Sequence, residues 1–481
     1  MDHTFDVVVA GCGVAGLSAA VTAAERGLKV AVLERASRDD RGGQSRYTEA
    51  YFRMKAIDQV TDDFETYLAS NVGPYADPEL MAEMSTGRDN WSHVTRTLAL
   101  PDTEVIGNFA DQVPPTVKWL QGLGVKFDFL PTQFLTATQP RLLPVGGGAA
   151  LVDALAAQAE KLGVTFFYYT TAKRLLLNDD GVVTGLFAQQ KGTQSVRFHG
   201  KVILACGGFE GNPALQSKYI GPRSVYLRPI CKGAYFNRGE GIEMALAIGA
   251  APSGDFGSYH AEPIDPRSGV SEPSVFIFPY GILVNKAGER FVNEAPGTVD
   301  AWYERITRRI YEQQEGLAYV ILDQRMKEIP NYRLAIRSDQ PAIEAETIEA
   351  LAAKLDIYPQ TLKDTVAQYN AACPTTGKYD PLKVDGMATQ GLMPPKSNWA
   401  LPLERGPFMA YPIISANVFT FGGLKVDPQG QVVDTDGYPI QNLYAAGEVI
   451  GMYYTNYTGA TSVLKGLVFG RLAANNIANQ H

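Results

Sequence analysis

The stretch Asp6-Val-Val-Val-Ala-Gly11-Cys-Gly13-Val-Ala-Gly16 decides the fold. An apolar run closed by glycines spaced G-x-G-x-x-G predicts a strand, a tight turn and a helix. Gly11 permits the turn, Gly13 lets the backbone approach a pyrophosphate, and Gly16 lets helix and strand pack closely. Val14 and Ala15 open the helix, whose N-terminal N–H groups and dipole attract the anion. Lys29-Val-Ala-Val-Leu33 is the second strand, and Glu34, 18 residues after Gly16, stands where an acid takes ribose hydroxyls, with Arg35 beside it. A glycine-rich turn without a ligand would explain the glycines but not the acid.

The far end of the chain names the dinucleotide. Asn442-Leu-Tyr-Ala-Ala-Gly447-Glu448-Val reads as a buried strand ending in glycine and an acid. Small residues ending in Ser462 follow, and then a helix from Val463 to Ile477 that opens on Val463 and Leu464; Ser462, Val463 and Leu464 are expected at the cofactor. This is a second anion site. In FAD proteins such an acid holds the ribityl chain, and such a helix points at the flavin N1/C2=O, where reduction deposits negative charge. NAD alone would not need this half, so FAD is the expected cofactor.

With both halves placed, nearly the whole chain resembles the flavoprotein subunits of the fumarate reductase and succinate dehydrogenase group, including 3-ketosteroid dehydrogenases and tricarballylate dehydrogenase. The N-terminal fingerprint, Arg41-Gly-Gly43-Gln-Ser45, Val202 to Asn212, Gly239-Glu-Gly241, Gly288 to Glu294, Gly422 to Asp427 and Ala446-Gly-Glu-Val449 carry the resemblance. It implies an α/β fold: a Rossmann-like FAD-binding domain (1–225 and 410–481) with an inserted α+β capping domain (226–409). It adds Gly42, Gly43, Gln44, Ser45, Ala172, Ala205, Cys206 and Gly207 to the cofactor contacts. Succinate dehydrogenases carry a histidine for a covalent flavin link in the loop where this chain has Gln44-Ser-Arg-Tyr47, so the FAD is expected to be non-covalent.

Composition agrees. The 481 residues, 45% apolar, suit two or three domains with a large core. No apolar run reaches the roughly 18 residues that span a bilayer, and the N-terminus lacks a signal pattern, so a cytoplasmic protein is expected. A net charge of −8 with mixed signs gives no nucleic-acid footprint. Cys12, Cys206, Cys231 and Cys373 lack metal or haem spacing, and no metal site is expected.

Strands are expected at 163–169 and 181–187, joined through a turn at 178–181, with a further strand returning at 198–207. The polar run 301–314 and the alanine-rich 342–372 belong to the cap, and the Pro/Gly clusters at 391–395 and 402–412 suit a hinge. Gly146-Gly-Gly148 lacks a preceding strand and reads as a flexible turn near the cap.

The chemistry follows from what the active-site positions contain. Flavin N5 takes a hydride from one carbon while a base removes a proton from its neighbour. After Asn293-Glu294, where fumarate reductases carry a proton-shuttling arginine, this chain reads Ala-Pro-Gly-Thr298. Before Gly422, where they carry a substrate histidine, it reads Asn417-Val-Phe-Thr-Phe421; where their second substrate arginine stands, it has Tyr457. A small dicarboxylate left unpaired in a dry pocket is expensive to bind.

Tyr457-Thr-Gly459 resembles the Tyr-Pro-Gly turn of ketosteroid dehydrogenases, which implies that the Tyr457 phenol and an amide near Ala460 or Thr461 bind a substrate ketone. Tyr303 is the candidate base, aided by Arg305, with Tyr47 as a relay. His260 matches a region where fumarate-type enzymes contact substrate. Arg46, Arg141, Arg223, Arg228 and Arg305 are candidate pocket cations, so the ketone can carry a distal carboxylate.

The expected activity is α,β-desaturation of a cyclic ketone such as a cyclohexanone or oxocyclohexanecarboxylate. Two other readings stay open: a tricarballylate or dicarboxylate oxidoreductase, which the loop Arg41 to Thr48 resembles most, and an electron-transfer subunit of a larger complex. The expected partners are a small carbonyl substrate and an acceptor left open among oxygen, quinone or a carrier protein.

Overall fold

The computed structural model describes residues 1–129, 135–136, 141–192 and 194–481. Its first half runs β1 (Asp2–Ala10), α1 (Val14–Glu25), β2 (Val30–Leu33), α2 (Gly147–Lys161), β3 (Thr165–Phe167), β4 (Thr170–Leu177), β5 (Val183–Gln190) and β6 (Gln194–Leu204). Its second half adds β7 (Arg228–Pro229), β8 (Tyr259–Ile264), β9 (Ile282–Asn285), α3 (Val299–Tyr311), β10 (Leu317–Leu322), β11 (Ile343–Ala345), β12 (Phe408–Thr420), β13 (Gln431–Val433), β14 (Pro439–Ala445) and α4 (Ser462–Asn479).

The first sheet has the order β13-β14-β6-β1-β2-β3, with the antiparallel hairpin β4-β5 attached to β6. Its centre, β14-β6-β1-β2-β3, is parallel. Val7, Val8 and Val9 are fully buried, as the unbroken apolar run requires of a strand covered on both faces. Helices α1 and α4 lie against each other through small residues. A Cβ on Gly470 would sit 2.4 Å from the Ala15 carbonyl oxygen, and Ser18 Oγ donates to the Leu467 carbonyl at 2.7 Å. The C-terminal helix is thereby locked beside the glycine turn, and both helix N-termini serve one site.

The second sheet is built on β12, which pairs with β7, β8, β10 and β11; β9 extends it from β10. Together the sheets give the α/β architecture with an inserted α+β unit that the sequence implied. Since the partners of β12 all lie between 228 and 345, we place the end of the inserted unit at about 420 rather than 409. The Pro/Gly-rich 402–412 is thus partly strand. Pro412 pairs with Tyr319 on one side, while on the other β11 stops at Ala410 and β8 begins at Ile414, so its missing N–H disrupts no ladder.

Gly146-Gly-Gly148 is a close-packed junction under the Gly43–Tyr47 turn, not a loose turn near the cap. Gly148 N–H donates to the Thr48 carbonyl at 2.8 Å, and a Cβ there would lie 1.8 Å from the Ser45 carbonyl oxygen.

Candidate active site

One cavity joins the two sheets, enclosing about 1630 Å³ with its open mouth.

Its floor is the glycine turn. Gly11 has φ +109° and a Cβ there would strike the Ala205 carbonyl at 2.3 Å; one on Gly16 would strike the Gly11 carbonyl at 2.0 Å. Gly13 precedes α1, and Val14 N–H reaches Ser45 Oγ at 3.4 Å, so the Gly43–Tyr47 turn sits over the helix N-terminus. Glu34 is buried, with Oε2 accepting from Cys12 N–H at 3.0 Å and Oε1 from Ala36 N–H at 2.7 Å. Burial raises its pKa, against those hydrogen bonds. Arg35, Gly43, Gln44, Ala172, Ala205, Cys206 and Gly207 line the same cavity. Arg35 pairs with Glu240, Gln44 Nε2 donates to the Val418 carbonyl, and Gln44 Oε1 is buried with no partner among the described residues. Gly42 lies beneath this turn at φ +110°, its Cβ direction facing Val152 at 2.9 Å.

The second anion site is also in place. Gly447, Glu448, Ser462 and Val463 line the cavity, while Leu464 is buried behind them in the core. Glu448 Oε1 accepts from Thr420 N–H at 2.8 Å, and Asn237 Nδ2 bridges it at 3.4 Å to Glu210 at 2.5 Å. Burial raises the pKa of Glu210, and the adjacent Glu448 raises it further. Burial raises the pKa of Glu448 as well. Two helix N-termini, a glycine cradle with no room for side chains and acids at both ends fit FAD, and FAD is the cofactor.

At the other end of the cavity three elements bring the chemistry together. His260 on β8, Tyr303 on α3 and Tyr457 before α4 all line it. His260 Nε2 lies 2.7 Å from the Tyr303 hydroxyl, and its ring centroid lies 4.5 Å from that of Tyr457 and 5.1 Å from that of Phe419. His260 is 5% exposed, with Nδ1 unpartnered among the described residues. Burial, then Arg308 and Arg141, hold its pKa down to about 3, so the imidazole is neutral. Burial likewise keeps Tyr303 a neutral phenol.

Several expected placements change. Arg305 is exposed and lies over the Trp302 ring at 5.2 Å, because residues two apart on a helix point to opposite sides. The partner of Tyr303 is His260. Tyr47 packs into the core beside the loop and does not line the cavity; Tyr51 does. Tyr457 and the amides near Ala460 are brought together, but with one another: the phenol oxygen accepts from Thr461 N–H at 3.1 Å and Ser462 N–H at 3.2 Å, and contacts Ser462 Oγ at 3.0 Å. Ala460 lines the cavity at φ +64°, and the Cβ direction of Gly459 faces Arg141 at 3.3 Å.

Of the five candidate cations only Arg141 reaches the cavity, 3.5 Å from Asp300. Arg46 pairs with Asp153, Arg223 donates to the carbonyls of Tyr311 and Gln313, and Arg228 to those of Pro266 and Ser268. The wall also carries Glu49, Glu262 and Glu272, which sequence reasoning did not single out. Arg337 pairs with Glu49 and with Glu272 at 3.0 Å, and burial followed by Glu262 pushes Glu272 up to about 8. No group of three His, Cys, Asp or Glu suited to a metal is found, and no helix is long and apolar enough to cross a membrane, among the described residues.

The FAD binding domain family matches residues 6–464. Vinyl phenol reductase of Lactiplantibacillus plantarum is 29% identical, over 92% of this chain and 89% of its own. 4-Oxocyclohexanecarboxylate 2-dehydrogenase of Sinomonas cyclohexanicum is 28% identical, over 99% of this chain and 93% of its own. The crystal structure of a 3-ketosteroid-Δ4-(5α)-dehydrogenase from Rhodococcus jostii superimposes with a TM-score of 0.68 at 27% identity, covering 99% of this chain and 97% of that one. The chain therefore belongs to the FAD binding domain family and is an FAD-dependent oxidoreductase of the fumarate reductase and ketosteroid dehydrogenase kind, acting on CH–CH groups.

Proposed function

We propose that the protein desaturates a cyclic ketone, cyclohexanone-like and able to carry one carboxylate, at the carbons α and β to its carbonyl. The observation that carries this is the Tyr303–His260 hydrogen bond facing Tyr457 across an aromatic wall. The bound flavin supplies a hydride acceptor. Tyr457 offers its phenol proton to the ketone oxygen and so favours enolisation. Tyr303 takes a proton from the ring carbon and passes its own to the neutral Nε2 of His260. Phe419, which lines the cavity against Tyr457, excludes water and gives a ring a flat surface to rest on, and Phe276 backs the Tyr303 ring at 5.4 Å.

The cation count argues against a small polycarboxylate. Of the two arginines in the cavity lining, Arg35 pairs with Glu240 and Arg141 lies beside Asp300, and the wall also carries Glu49, Glu262 and Glu272, which suits at most one substrate carboxylate. The relatives named for a cyclic ketone and for a ketosteroid support the same reading.

The test is anaerobic bleaching of the flavin absorbance on mixing with cyclic ketones, with and without a ring carboxylate, and with succinate-like polycarboxylates. Bleaching by a ketone supports the proposal; bleaching by polycarboxylates alone overturns it.

A further inference from the structure

The three groups of the reacting end lie on separate segments, and their alignment needs a cause. Tyr303 and His260 are 43 residues apart, and Tyr457 is 153 residues beyond Glu304. The side chain that bridges all three segments is Glu304, next to Tyr303 on α3 and 8% exposed. Its Oε2 accepts from the backbone N–H of Tyr457 at 3.1 Å. Its Oε1 pairs at 3.1 Å with Arg308, one turn further on, and Arg308 donates to the carbonyl of Tyr259, the neighbour of His260 on β8.

The loop carrying Tyr457 is held from its other side as well. Buried Asn71 accepts with Oδ1 from Thr455 N–H at 2.9 Å, Thr455 Oγ1 at 2.8 Å and Asn456 N–H at 2.9 Å, and returns a bond to the Asn456 carbonyl. Arg53 donates its backbone N–H to Ala460 at 2.8 Å and a guanidinium N–H to the Gly459 carbonyl at 3.2 Å. Among the described residues none of Glu304, Arg308, Asn71 and Arg53 lines the cavity; they reach the site through the residues they hold, and Arg308 also through its charge on His260.

We infer that Glu304, paired with Arg308, is the positioning residue of this enzyme: it sets the Tyr457 phenol opposite the Tyr303–His260 pair by fixing the Tyr457 backbone to the helix that carries Tyr303. A buried carboxylate is costly unless it is paired and hydrogen-bonded, and here one partner is the backbone of a residue at the site. On adjacent helix positions about 100° apart, Tyr303 reaches the imidazole while Glu304 reaches the loop, so one helical turn gauges both distances.

The catalytic part of this inference rests on the desaturase reading; the structural part does not. The holoenzyme and its Glu304→Ala, Glu304→Gln and Tyr457→Phe variants are compared by amide hydrogen exchange over residues 454–461 and by the rate of anaerobic flavin reduction with whichever panel compound bleaches the wild type. Glu304→Ala is expected to deprotect that segment and slow reduction by about 10- to 100-fold, the range for misplacing a reacting group by about 1 Å. Glu304→Gln, which keeps an oxygen acceptor for the Tyr457 N–H, is expected to recover much of both. Glu304→Ala should add little to the loss in Tyr457→Phe, because the two act through one group.

Unchanged exchange over 454–461 would overturn the inference, and so would deprotection with an undiminished rate or losses that simply add. Should Glu304→Ala fail to fold, Glu304→Gln decides by the same readouts. If no panel compound bleaches the wild type, the desaturase reading falls, while the exchange pattern still decides whether Glu304 holds the loop.

Discussion

The hydroxyl of Tyr303 lies 2.7 Å from Nε2 of His260, and that imidazole packs 4.5 Å, centroid to centroid, from the ring of Tyr457. A helix, a strand of the second sheet and the loop before the C-terminal helix thus meet at one histidine, which makes His260 the hub of the reacting end.

His260→Phe removes the proton acceptor of Tyr303 and keeps the aromatic volume. Flavin reduction by substrate is expected to slow about 10²- to 10⁴-fold with little loss of FAD. Since His260 titrates near 3 in the folded protein, its folded pKa lies below the unfolded value of 6.5, and the unfolded state binds the extra proton between those values. This group's contribution therefore costs stability as pH falls from about 6.5 toward 3, and denaturant titrations across that range should show a smaller acid loss in His260→Phe.

Glu272 gives the opposite slope. Its folded pKa is raised from 4.5 to about 8 by burial and by Glu262. The folded state then binds the extra proton, so stability is lost as pH rises through that window. Glu272→Gln should flatten this alkaline loss, by roughly 1–3 kcal/mol near pH 8 in chemical denaturation. A variant with the wild-type slope would show that Arg337 already keeps the carboxylate ionised.

Tyr457→Phe takes away the oxygen that accepts from the N–H groups of Thr461, just before the C-terminal helix, and Ser462, its first residue. A loss of about 1–3 kcal/mol is expected, together with loss of the ketone response in the bleaching assay. Retained ketone bleaching at the wild-type rate would remove the phenol from the mechanism.

Gly148→Ala places a methyl 1.8 Å from the Ser45 carbonyl, in backbone that cannot yield. The expected outcome is a shifted Gly43–Tyr47 turn, weaker FAD retention on gel filtration and a stability loss of about 1–3 kcal/mol or more. Gly163→Ala, whose Cβ would meet nothing within 4 Å although its φ is +83°, is the control for backbone strain alone.

The flavin is predicted to be released on denaturation. The turn from Gly43 to Tyr47 reads Gly-Gln-Ser-Arg-Tyr and offers no histidine for a covalent link. Acid-precipitated protein should be colourless, with the FAD in the supernatant.

The cofactor half of this molecule was open to sequence reading because it depends on local rules. Gly11, Gly13 and Gly16 sit at fixed spacing within one βαβ unit, and Glu34 follows at the end of the next strand. The reacting end depends on long-range contacts. Tyr303 and Tyr457 were found by resemblance, but the helper of Tyr303 was sought two residues away at Arg305, where helical geometry turns it outward. The hydrogen-bond partner, His260, comes from strand β8 of the second sheet, 43 residues earlier. Glu304, Asn71 and Arg53 gave no signal at all, since a buried carboxylate or amide shows its purpose only when the backbone it holds is in view. Gly148 was misread for the same reason: its need for a small side chain comes from the Ser45 carbonyl, about a hundred positions earlier in the chain.

The central claim is that Tyr303, backed by His260, moves the proton of a CH–CH desaturation. The most direct measurement is the single-turnover rate of anaerobic flavin reduction by a cyclic ketone in wild type and Tyr303→Phe, with ketone affinity read from the same concentration series. The account predicts a fall of at least about a hundredfold in the limiting rate, with affinity nearly unchanged. A Tyr303→Phe enzyme that reduces its flavin at the wild-type rate would contradict it.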